Sequence, residues 1–248
     1  MRHVSAIPAM VCTAALVTAG CVQIDYGISL DEDLSGTSEL ELTIDIDRVA
    51  YATAAAQAAF TDDGGPPTEE QIEEARDDLL AQIESARDDF DDQELRKEIE
   101  NDLPEGMSVL YARQERTGLK QRVEVGFSFD HVDRLREMQV ADDEDGGELG
   151  FGNSAPFEGL EIVQEGDEII VRNEPIDPIE DVASGGMLSD AIVETLLGDL
   201  RVTFRLESPF QVLEHNATRV EDRTLIWVFD YERLTSDEPG GIFARLKR

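Results

Sequence analysis

The sequence predicts an α+β fold: a curved antiparallel sheet built from strand–turn–strand–helix units, covered by helices and carrying a helical insert. Three observations predict it. Residues 37–46 and 123–129 alternate apolar and polar side chains, the period of a half-buried strand. Each run meets an aspartate, Asp47 or Asp130, that leads into a helical pattern. Between the two units, residues 66–103 carry a charged stretch whose apolar residues recur at about 3.6 positions.

Taken in order, Val22 to Leu30 and Thr37 to Ile46 read as a hairpin around Asp31-Glu32-Asp33-Leu34-Ser35-Gly36. Leu40, Leu42, Ile44 and Ile46 share one face of the second strand, and Glu39, Glu41, Thr43 and Asp45 the other. Asp47 reads as the N-cap of an Ala-rich helix reaching Phe60. Aligning Asp47 with Asp130 sets Ile44 against Phe127, Leu42 against Val125 and Val49 against Val132, as two copies of one unit would. In the insert, Thr68 and Gln71 form a capping box before the stripe Ile72, Ala75, Leu79, Ile83, Ala86 and Phe90. That stripe reads as packing onto the sheet or as a docking face for a partner. A shorter helix with Leu95 and Ile99 ends by Pro104 and Gly106.

Residues 141–159 are acidic, Gly-rich and aperiodic, the pattern of a loop. Leu160 to Val163 and Ile169 to Val171 flank Glu165-Gly166-Asp167 as a short hairpin, and Leu188 to Leu197 reads as a helix. Strands return at Val202 to Leu206 and Leu225 to Phe229, with Glu214-His215-Asn216 between them as a turn. Trp227 shares a face with Leu225 and Phe229, which is expected to pack against helix. The tail from Gly240 to Arg248 is too short and too polar to span a membrane.

The N-terminus carries a different kind of signal. Arg2 precedes an apolar run from Val4 to Val17, then Thr18-Ala19-Gly20-Cys21. A basic start, a short apolar stretch and small residues make a secretory signal, and the run is shorter than the ~20 residues a bilayer core requires. Ala19-Gly20-Cys21 resembles the lipobox of bacterial lipoproteins, with Thr18 where that family usually has Leu. The resemblance implies a signal peptide over residues 1–20, acylation of Cys21 with palmitate-type chains, and a single mature domain, 21–248. It also implies a lipid-anchored protein of a bacterial cell envelope, facing periplasm or exterior. Each buried acyl CH₂ contributes about 0.8 kcal/mol, so one chain binds marginally and several hold firmly. The other cysteine, Cys12, would leave with the signal, so thiol catalysis, disulfides and Cys-ligated metals fall away.

Composition narrows the partners. The chain has 248 residues, 56 acidic against 21 basic, for a net charge of −35. Nucleic acid and bare anionic surfaces would repel it. Candidate chemistry is sparse. His131 and His215 show no metal-ligand spacing, and Ser154 in Gly152-Asn153-Ser154-Ala155-Pro156 lacks the last glycine of a nucleophile elbow. Aligning Gly146 with the glycine of a calcium-binding EF loop puts Ala141 and Gly152 where acids are needed. No catalytic residue, metal or cofactor is implied, and no enzyme.

The stretch Leu200 to Leu234 supplies a second resemblance. Its strand, Ser208-Pro209, the step to Val212, Glu214-His215-Asn216 and the strand with Trp227 are similar to the end of LppM-type lipoprotein domains. Phe210 stands where a Gly is expected, and the transmembrane helix with which that family often ends is not seen. The resemblance implies an α+β envelope domain that binds a lipid or other envelope ligand. The alternative is an interaction or structural module docking an envelope protein through its insert. For a lipid, the repeated strand faces nominate Leu42, Ile44, Val125, Phe127 and Phe129 as lining residues, apolar area suited to an acyl chain.

Overall fold

The structure is a computed structural model, which describes residues 22–59, 66–89, 92–138, 159–173, 198, 200–234, 236 and 240–248. The signal segment with Cys12 and Cys21, Phe60, Phe90, Ser154, the acidic loop up to residue 158 and the helix expected over 188–197 lie outside them.

Among the described residues, eleven strands form two sheets. β1 (Val22–Leu30), β2 (Gly36–Asp45), β3 (Met107–Thr117), β4 (Lys120–Phe129), β7 (Arg201–Glu207), β9 (Arg219–Glu221) and β10 (Thr224–Asp230) make the larger, in the order β3-β4-β2-β1-β7-β10-β9. β5 (Glu161–Glu165), β6 (Glu168–Arg172), β8 (Gln211–His215) and β11 (Phe243–Lys247) make the smaller, ordered β5-β6-β11-β8. With three long helices, α1 (Ile46–Ala59), α2 (Glu69–Asp89) and α3 (Asp92–Asp102), the fold is α+β.

The larger sheet is mixed, because β1 runs parallel to β7 and antiparallel to β2. An antiparallel sheet throughout was expected. The parallel pair arises where the first unit meets the C-terminal strands, which are distant in sequence and so need no tight turn to join them. The two units pair β2 with β4 antiparallel, Leu42 opposite Val123, Leu40 opposite Val125 and Gly36 opposite Phe129.

Alternation then builds the core. Phe204, Leu206, Leu225, Trp227 and Phe229 of the large sheet join Ile169, Val171, Ala244 and Leu246 of the small one in a single buried cluster. Trp227 is fully buried, as its pattern predicts, in a cluster that holds small-sheet residues together with Leu95 and Ile99 of α3. Its Nε1 donates to Asn216 Oδ1 at 2.6 Å, and its ring lies 5.4 Å from that of Phe204. The Asn216 carboxamide also accepts from Phe243 N and donates to Gly241 O. The residue read as part of a turn therefore ties β11 to the large sheet.

Helices close the other edge. α3 packs along β3, sends Leu95 and Ile99 into the core, and satisfies the strand's open edge. Arg96 donates to Val109 O at 2.8 Å and Asp92 accepts from Gln114 N at 3.1 Å. An unpaired edge is otherwise a template for aggregation. Residues 133–138 are also helical and add Leu135. The cap of α1 lies two residues before Asp47: Asp45 Oδ1 accepts from Arg48 N. The Thr68–Gln71 capping box forms as predicted, Thr68 N to Gln71 Oε1 at 2.8 Å and Gln71 N to Thr68 Oγ1 at 3.3 Å. Over its described residues the α2 stripe packs mainly on α1, and at Leu79 on a cluster that includes Ile44 of β2. Ala75 and Ile72 meet Ala50 and Ala54, and Leu79 meets Val49 and Ile44.

Candidate functional site

Cys21 is bonded directly to Val22, the first residue of β1. Register defines what shares that end of the sheet. Val22 faces Ile44, Gln23 faces Arg201, Asp45 faces Lys120, and Leu119 O accepts from Ile46 N at 2.8 Å. The β3–β4 turn, the start of β7 and the start of α1 thus lie together, with Arg48, Lys120 and Arg201 exposed. Nearby, Arg116 pairs with Glu84, and Arg122 lies between Glu41 and Glu124. The Glu41 hydrogen bond and the surrounding carboxylates push the Arg122 guanidinium higher still. Both ends mix signs: Asp230 lies opposite Arg201, and at the far end Arg248 donates to Glu32 O at 3.1 Å. Asp31, Glu32 and Asp33 crown the β1–β2 turn, beside Glu105, Asp130 and Glu207.

The nominated lining residues fall in two places. Val125, Phe127 and Phe129 follow one another on the inward face of β4 and are buried in the main core. Leu42 is half-buried on β2, opposite Ile24 and Val123. Ile44 belongs to the separate cluster with Val49 and Leu79. Ile44 and Phe129 occupy opposite ends of the face, since Ile44 pairs with Gln121 and Phe129 with Gly36. Two concavities among the described residues lie elsewhere. One, of about 30 Å³, sits between Val132–Arg136 and Leu160–Val163, with room for a water or two. The other, of about 200 Å³, is polar and lined by Asp92, Arg113, Gln114, Glu115, Arg122 and Glu124.

Polar groups placed against apolar ones complete the inner geometry. Ser38 donates its hydroxyl to Tyr26 at 3.0 Å, and the Tyr26 ring stacks on Phe204. Burial pushes the Tyr26 hydroxyl above the ordinary tyrosine value of 10.0, with the Ser38 hydrogen bond opposing it. On the outward face, Tyr111 covers Gly126, where a Cβ would come within 2.5 Å of the ring. Desolvation and then Glu39 raise the Tyr111 hydroxyl. Arg233 lies 4.3 Å over the Phe229 ring and donates to Val228 O at 3.0 Å. Burial lowers its pKa against the pull of Asp230. His131 Nδ1 lies 3.0 Å from Asp133, and His215 Nδ1 accepts from Ala217 N, both near the surface. Among the described residues no three His, Cys, Asp or Glu side chains converge as metal ligands, and no helix is long and apolar enough to cross a membrane.

Sequence reading missed β11, as it missed β8 and β9 on either side of the expected turn at Asn216. Ile242, Ala244 and Leu246 are buried while Lys247 is exposed, an alternation present in the tail but only five residues long. Asn216 gave no signal beyond its place in the stretch resembling LppM-type domains.

No family model matches the chain, and no curated protein matches it. Among solved structures it is similar to the folded domain of the Mycobacterium tuberculosis LppM protein, determined by NMR. The sequence identity is 11%, the TM-score 0.47, and the likeness covers 93% of this chain and 91% of that one.

Proposed function

We propose that the protein is a lipid-anchored module of a bacterial cell envelope, tethered by Cys21, that binds a lipid or other envelope ligand without catalysing a reaction. One observation supports the anchoring: β1, the first strand among the described residues, begins at Val22, the residue that would follow the acylated cysteine. Ligand binding rests on the resemblance of Leu200 to Leu234 to LppM-type domains, because the aromatic inner face of the larger sheet is packed in the core. Native mass spectrometry of the protein purified from membranes tests the ligand. A bound lipid beyond the covalent chains is the expected result, and a ligand-free protein would remove this reading.

A second reading, docking of an envelope protein, is favoured by a specific feature. α1 and α2 hold small clusters of their own outside the main core, and α2 exposes Glu73, Glu74, Asp77 and Asp78. Deleting the whole insert would also remove Leu95 and Ile99 from the core. Reversing Glu73 and Asp77 to Lys is the cleaner test. Loss of a cross-linked species, with folding intact, would favour docking over lipid binding.

A further inference from the structure

Four strands end the two sheets, and they are not equally covered. β3 has α3 along it, with Arg96 and Asp92 bonded to its backbone, and residues 132–136 lie against β5. β8 and β9 end the sheets on the other side, joined to each other by residues 216–218. Leu213 and Val220 sit on them 39% and 47% exposed, two of the three large apolar side chains so placed among the described residues. Leu213 is also the residue passed over where β8 pairs with β11. We propose that this flank is the interface with a second copy of the chain, β9 pairing antiparallel with β9 about Val220 and extending the larger sheet across a two-fold axis. The inference stands apart from the anchoring reading and needs no residue of the N-terminus.

The edge itself, Arg219-Val220-Glu221, selects the partner. A two-fold interface is isologous, so the surface must complement itself. Antiparallel pairing centred on Val220 sets each Arg219 opposite the Glu221 of the other copy, once on either side of the axis. Opposite charges directly across a strand pair stabilise it, and like charges destabilise it. The nearest registers that keep the same faces, centred on Arg219 or on Glu221, would set two arginines or two glutamates opposite each other. Register is therefore specified by charge. Within one chain Arg219 and Glu221 lie 3.0 Å apart with more than half of each side chain exposed, so both are on one face and can share their charges across the axis. Val220 takes the other face. It lies opposite Leu225, whose side chain is in the core between the sheets. A two-fold axis normal to the larger sheet keeps the small sheets of both copies on that inner side. The two Val220 side chains then meet beside the two β8 edges, where Leu213 adds apolar area. Main-chain groups on the free side of β9 gain partners in the same step. An isologous contact uses up the edge it is built on, so it stops at two copies and removes a template for aggregation.

Sedimentation velocity of the full chain, under reducing conditions and over a wide concentration range, tests this. The parent protein is expected to pass from monomer to dimer as concentration rises. Arg219→Glu and Glu221→Arg, each of which sets like charges opposite, should weaken the dimer about ten-fold. The two substitutions combined restore opposite charges and should return the dimer to near the parent strength. Val220→Asp should abolish it, whereas Leu110→Asp, at the third exposed apolar position, should leave it unchanged. Circular dichroism of each variant shows that the fold is kept, and recovery in the combined variant cannot come from misfolding. A parent that stays monomeric throughout, a dimer indifferent to both single reversals, or a combined variant no stronger than the single ones would overturn the interface.

Discussion

The two-sheet body and the α1–α2 hairpin are stabilised by different means. In the body, Trp227, Phe204 and Phe229 are fully buried across an interface that joins both sheets. In the hairpin the contact is made by Ala50, Ala54 and Ala75, with Ile72, Leu79 and Val49 at its margins. Burying a large apolar side chain is worth about 1.5–3 kcal/mol, and a methyl much less. Ion pairs at the base of the hairpin, Arg76–Asp47 at 2.6 Å and Arg116–Glu84 at 3.3 Å, add little because they are part-exposed. The body therefore sets global stability, and the hairpin is free to open on its own.

That contrast breaks first at Trp227. Trp227→Ala should cost about 3–5 kcal/mol in denaturant unfolding, the range of large aromatic truncations in cores. A loss below about 1 kcal/mol would mean the body does not depend on the sheet-to-sheet contact. Asn216→Ala comes next, at about 1–3 kcal/mol, because it strands the Trp227 Nε1 and Phe243 N donors. Trp227→Phe combined with Asn216→Ala should cost less than the two separate losses added together, since both remove one hydrogen bond.

Smaller effects sharpen the hairpin side. Leu79→Ala should cost about 1 kcal/mol or less and act locally: amides of α1 and α2 exchange faster while those of β1, β7 and β10 keep their protection. Uniform loss across both regions would contradict independence. Tyr26 gives the smallest effect near neutral pH. Its folded pKa is raised, so its neutral form is the stable one in the core. Its stability contribution is full below the ordinary value of 10.0 and is lost as pH rises through the higher folded value. Tyrosinate absorbance should show Tyr26 ionising late and together with unfolding of the body. Early, reversible ionisation of all four tyrosines would place its ring outside the core.

Much of this architecture was legible because local signals agreed with the fold. β1, the Thr68–Gln71 capping box and the two strand–turn–strand–helix units follow from alternation and capping alone. What pairs with what was not legible. The β1–β7 parallel pair spans the whole chain, and alternation says which residues point together but never which strand lies alongside. The same gap hid the small sheet, since β11 is short and its role depends on β6 and β8 on either side. The nominated lining residues show the limit most clearly. A shared face joined Ile44 to Phe129 on paper, but antiparallel pairing of β2 with β4 sends them to opposite ends. The proposed anchor, by contrast, rests on contiguous residues and needs no pairing to be read.

The central claim is the lipid on Cys21, and intact mass spectrometry of the protein extracted from membranes tests it most directly. The account predicts a chain that begins at Cys21, heavier than its sequence by the mass of acyl and glyceryl groups, and a Cys21→Ser variant that lacks that mass and leaves the membrane fraction. A membrane-bound chain with an unmodified Cys21, or a Cys21→Ser variant that fractionates like the parent, would contradict it.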